Sequence, residues 1–118
     1  MRVMIIVKAS KDSEAGILPS QKHLAEMGKF NDELMKAGVF LTANGLRASS
    51  MGKRVRFSGE QQTVIDGPFA EAKELVGGFW IWQVKSMEEA VEWLKRAPFA
   101  QETEVEIRPV LEAADSAR

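Results

Sequence analysis

The chain contains no cysteine. Disulfides, thiolate nucleophiles, iron–sulfur clusters and cysteine-based zinc sites are therefore excluded. It has a single histidine, His23, so a histidine-rich metal centre is excluded too. Neither charge is in excess. Sixteen basic residues face 17 acidic ones, a formal net charge of −1, which leaves no global positive field to gather nucleic acid. No apolar run approaches the ~20 residues that a bilayer-spanning helix needs. The stretch Met1 to Val7 is too short for a signal peptide and no small-residue cleavage site follows it, so a cytoplasmic location is expected. There is no Walker loop, dinucleotide glycine fingerprint, nucleophile elbow or HExxH pair. No cofactor or metal site is assigned, and neither nucleic acid nor membrane is an expected partner.

What remains is ordinary globular composition. With 118 residues, 45% hydrophobic and 28% charged, the chain can bury one core as a single domain spanning 1–118. Val3 to Val7 reads as a strand, and its unbroken apolar run predicts burial on both faces. Lys8 to Pro19 reads as a loop. Ser20 is placed to cap a helix running to about Ala37, with Leu24, Met27, Phe30 and Leu34 on one face. Gly38 falls where a helix ends in a positive-φ residue. Val39 to Ala43 is a second strand. Lys53 to Ser58 and Gln62 to Ile65 form a hairpin around Gly59-Glu60. A turn, Asp66-Gly67-Pro68-Phe69, leads to a short helical segment from Ala70 to Leu75, and Phe79 to Val84 is the strongest strand. Ser86 and Glu89 form a capping box, opening a helix that Pro98 ends. Glu104 to Leu111 alternates as a half-exposed strand, with Val105 and Ile107 inward. Glu112 to Arg118 is a polar tail.

The order β-α-β, hairpin, β-α-β predicts an α+β domain: a ferredoxin-like split βαβ with an inserted β-hairpin. Two helices cover one face of its sheet. Yet Val3, Ile5 and Val7 alternate with Met4 and Ile6, and Trp80, Trp82 and Val84 with Phe79 and Ile81, so the sheet is apolar on both faces and the second face needs a cover. A second copy is the simplest cover, because a two-fold lets one patch match itself. A homodimer through one sheet face is expected.

Asp66 stands out among candidate functional residues. Held at a strand end, it is placed to act as a base or a ligand anchor; it reads first as a turn residue and helix N-cap. Asn44 to Gly59 holds Arg47, Lys53, Arg54 and Arg56 and no acid before Glu60. It is either an electropositive rim for an anionic ligand, with Arg47 able to fork onto a carboxylate or phosphate, or a solvated hairpin. Ser49, Lys73 and Glu74 complete the candidate binding set, although Lys73 and Glu74 also read as a solvated surface pair. His23 can serve as a general base near neutral pH or simply begin a helix. Trp80, Trp82 and Trp93 read as core or interface before pocket.

The string Asp66 to Glu74, followed by Gly78 to Ser86 and Glu89 to Trp93, resembles the signature of the YCII-related family and its DGPF-motif subfamily. Phe30 to Leu34, Ala37-Gly38-Val39 and Gly45-Leu46 match its N-terminal half. The resemblance implies a ferredoxin-like domain that dimerises into an α/β barrel, and no established reaction. It implies a histidine early in the first helix, matched by His23-Leu24-Ala25, and an aspartate in a cleft. Where the family often has Gly-Leu-His-Pro-Ser, this chain has Gly45-Leu46-Arg47-Ala48-Ser49. Two functions are expected from this reading. One is binding of a small anionic or carbonyl metabolite in a dimer-associated cleft, extending to cofactor-independent catalysis with Asp66 or His23 moving the proton. The other is a non-catalytic sensing module linked to sigma-factor-dependent transcription.

Overall fold

The computed structural model describes residues 1–69 and 74–115. Among these residues six strands and three helices follow in the order β1 (Arg2–Lys8), α1 (Lys11–Glu14), α2 (Gln21–Lys36), β2 (Phe40–Gly45), β3 (Lys53–Ser58), β4 (Gln61–Asp66), β5 (Val76–Gln83), α3 (Met87–Lys95) and β6 (Val105–Pro109). Short 3₁₀ turns occupy Ser49–Met51 and Ala113–Asp115. The main sheet has the order β2-β5-β1-β6, with every neighbouring pair antiparallel. Two βαβ units, β1-α2-β2 and β5-α3-β6, thus interleave. Each unit's strands flank the first strand of the other, as a ferredoxin-like split βαβ requires. β3 and β4 form a separate two-stranded sheet.

The helices begin where the serines put them. The Ser20 side chain accepts from the His23 N–H at 3.1 Å, and that of Ser86 accepts from the Glu89 N–H at 3.1 Å. The Glu89 carboxylate reaches back one residue further than a capping box requires, to the Lys85 N–H at 2.7 Å. Gly38 has φ +73°, the conformation expected after α2. Several boundaries differ from the sequence expectation, among them β2, which runs Phe40–Gly45 rather than Val39 to Ala43. The segment read as a loop from Lys8 to Pro19 contains α1, because Ser10 and Ser13 cap each other reciprocally; four residues are too few to show a helical period. Gly77 and Gly78 lie within β5 rather than before it. The last strand is confined to Val105–Pro109. The helix expected over Ala70 to Leu75 falls largely outside the described residues, and Glu74 and Leu75 are not helical.

One face of the main sheet supplies the core. Val3 and Ile5 pair with Trp82 and Trp80 across β1 and β5, and all four are buried. Phe30 and Leu34 from α2, and Ala90 from α3, close over them. Phe30 meets both indoles edge-on, at centroid distances of 6.1 and 6.3 Å, a favoured aromatic geometry. The Trp80 N–H donates to Asn31 Oδ1 at 2.8 Å. On the opposite face Met4 lies opposite Ile81 and Ile6 opposite Phe79. This block of four is only half-buried and stands outside the core cluster. The molecule is a flat slab, 47 × 47 × 21 Å. Its radius of gyration, 16.6 Å, exceeds the roughly 13–14 Å of a compact domain this size. Among the described residues, no helix is long and apolar enough to cross a membrane.

Candidate functional site

The residues between β2 and β3 would be a free loop were they not pinned from three directions. Ser49 is the pin. Its hydroxyl donates to Glu14 Oε1 at 2.5 Å, and its backbone N–H donates to Glu14 Oε2 at 2.7 Å. The same hydroxyl oxygen accepts from the Phe69 N–H at 3.1 Å. Thus α1, the 3₁₀ turn and the segment after β4 meet at one serine. Gly67 completes the junction, donating its N–H to Gly52 O at 3.0 Å. A Cβ on Gly67 would lie 1.8 Å from the Ser49 carbonyl oxygen, so the backbones approach as only glycine permits.

This junction walls a cleft of about 580 Å³, within the range of small-molecule sites. Leu46, Met51, Phe69, Leu75 and Val76 supply its apolar surface. Arg47, Lys53 and Arg54 supply its charge, and no carboxylate lines it among the described residues. The three cations differ in state. Lys53 Nζ pairs with Asp66 Oδ1 at 2.5 Å. The Arg54 guanidinium lies over the Phe69 ring, 3.8 Å from its centroid, a cation–π contact. Arg47 makes no hydrogen bond or ion pair among the described residues, which leaves a planar five-donor group at the cleft without an acceptor.

The sequence-predicted residues are placed as follows. Arg47 and Ser49 both line the cleft. Asp66 is exposed at the end of β4 and reaches the cleft only through its ion pair with Lys53. His23 is half-buried in the first turn of α2 and is not part of the lining. Glu74 accepts from Lys8 Nζ at 2.7 Å. Lys73 lies outside the described residues. The residue that sequence reasoning missed is Glu14. Its only local signal was the Ser10-x-x-Ser13 spacing, and its partner is 35 positions away. A smaller depression of about 270 Å³ on α3 offers no comparable site, because Lys95 pairs with Glu92 and Arg96 with Glu33.

The two Ser49 donors hold the Glu14 carboxyl below its ordinary value of 4.5, the hydroxyl contributing most and the backbone N–H next. A depressed carboxylate stabilises the fold above its unfolded value, and that contribution disappears as pH falls through the folded value. The stability advantage of the wild type over Glu14→Gln is therefore expected to hold at neutral pH and to shrink below about pH 4.5. Thermal melts of both proteins between about pH 7 and about pH 3 check this; a gap that stays constant over the range would remove Glu14 from the clamp.

No curated protein matches the chain. The family model of the YCII-related domain covers residues 1–114 of the 118. On that match, together with the α+β architecture, the chain belongs to the YCII-related domain family.

Proposed function

We propose that this chain is a ligand-binding domain that takes a small anionic metabolite in the cleft beside Ser49, in a homodimer joined through the open sheet face. The observation that carries the reading is Arg47: a guanidinium with no acceptor among the described residues, on a cleft that none of their carboxylates lines. Such a wall suits an anion with an apolar body. The guanidinium forks onto a carboxylate or phosphate, and Leu46, Met51 and Phe69 cover the rest. Binding needs only this cleft. Catalysis by Asp66 needs in addition that its carboxylate reach the ligand, and Lys53 holds it at the hairpin base. Binding without chemistry is thus the better-supported reading, and it suits a sensing module. The dimer rests on the half-buried block of Met4, Ile6, Phe79 and Ile81, which a second copy would cover.

A thermal-shift titration with benzoate, short fatty acids and inorganic phosphate tests the site. A compound at 100 times its Kd adds about 2.7 kcal/mol and raises the melting temperature by on the order of 10 °C. Arg47→Ala is expected to weaken the best compound about 10- to 100-fold, the worth of one charged hydrogen-bond pair. Arg47→Lys should recover only part, because an ammonium cannot fork. No stabilisation by any anion, or equal affinity in Arg47→Ala, would sink the reading. Turnover of the bound compound, lost in Asp66→Asn, would move the protein from sensor to enzyme.

A further inference from the structure

The β3–β4 hairpin stands away from the core. It forms its own two-stranded sheet around the Gly59-Glu60 turn, so among the described residues both strands are edges. A lone hairpin is marginal in water unless it packs on something. One of its faces is apolar and open: Val55 is 50% exposed, Val64 61% and Phe57 75%. Val55 and Val64 lie directly opposite each other.

The two edges differ in charge. β3 carries Lys53, Arg54 and Arg56 within four residues, so a second β3 laid antiparallel against it would set cation beside cation. β4 reads Gln-Gln-Thr-Val-Ile from 61 to 65, with no charge until Asp66 and no proline. It has none of the devices that guard an edge strand, and its alternate N–H and C=O groups point away from β3. The occupant that such an edge fits is itself.

We propose that β4 pairs antiparallel with β4 of a second copy about a two-fold axis at Val64, closing a four-stranded intermolecular sheet. In that register Val64 faces Val64, and Gln62 faces Asp66. A row of four valines then runs across one face, Val55 and Val64 from each copy, with Phe57 at either end. The pairing involves neither the cleft nor the open face of the main sheet. If the sheet-face dimer also forms, the particle is a tetramer.

The absence of cysteine makes the test clean. Antiparallel partners at the two-fold sit about 4.5–5.5 Å apart between Cα atoms, within disulfide reach. Val64→Cys should cross-link into covalent dimers under mild oxidation. Val55→Cys, similarly exposed but three strand spacings from its mate, roughly 14 Å, should not. Val64→Lys, which places two ammonium groups on the axis, should halve the wild-type mass in sedimentation. An equimolar mixture of Val64→Lys and Val64→Glu should restore it. Ile81→Arg separates the two interfaces, because it disrupts a sheet-face dimer and leaves the Val64→Cys cross-link intact. Failure of Val64→Cys to cross-link, or a wild-type mass unaltered by Val64→Lys, overturns the pairing. Circular dichroism on each variant confirms that the fold is retained.

Discussion

Trp82→Ala is expected to cost the fold about 3–5 kcal/mol, the loss typical of removing a buried large aromatic. Trp82 is fully buried on a central strand. Val3 is its neighbour on β1 and Phe40 on β2. The Trp80 ring lies 5.7 Å away and the Phe30 ring 6.3 Å. Backbone ladders hold both flanking strands, so the sheet cannot collapse into the space the indole leaves. Most domains have only about 5–15 kcal/mol in total, and the variant should lie near the edge of folding. Trp82→Phe should lose much less. Its indole N–H is buried without an acceptor among the described residues, so that change forfeits volume and no hydrogen bond. Urea denaturation measures both, with an unchanged slope showing that stability alone has moved. A Trp82→Ala loss below about 1 kcal/mol would mean that the core tolerates a void here, contrary to its packing.

Gly67→Ala should do damage of another kind. One methyl group would enter the space of the Ser49 carbonyl, at 1.8 Å. Neither side of that contact is a flexible side chain, so two backbone segments must separate. Overpacking of this sort costs about 1–3 kcal/mol. The larger consequence is local. Parting the segments breaks the Phe69-to-Ser49 bond and the Gly67-to-Gly52 bond, and both hold the cleft wall. Loss of anion-induced stabilisation should therefore accompany a moderate drop in melting temperature. Ala48→Gly, in the same loop, should keep the stabilisation. A Gly67→Ala protein that still responds to the anion would show that the wall forms without this junction.

The main sheet was legible in the sequence because its signals are local and repeated. Val3 to Val7 and Phe79 to Val84 are unbroken apolar runs, and α2 and α3 carry their caps within three residues. The hairpin was legible for the same reason: β3 spans Lys53–Ser58, as its residues predict. Arg47 and Ser49 could be singled out by composition, since Asn44 to Gly59 is a basic stretch without acids. Their setting could not. The cleft depends on Glu14, on a backbone contact between Ser49 and Gly67, and on Phe69 lying under Arg54. Each of these joins positions whose separation no periodicity records. Asp66 shows the converse. Its motif marks a turn plainly, but only the register of β3 and β4 reveals that Lys53 lies opposite and takes its carboxylate.

The Ser49 clamp also sets an order of events. Its bonds span 35 and 20 positions of chain, whereas the hairpin beside it closes over a two-residue turn. Loop closure over the longer spans costs more entropy, and non-local contacts repay it last. The hairpin closes at the lower entropic cost, but it is held only once its base is pinned, because a two-stranded hairpin alone is marginal in water. The cleft is completed only once the N-terminal segment and the chain after β4 have both arrived. A ligand that needs this wall could therefore act only on molecules that have finished folding.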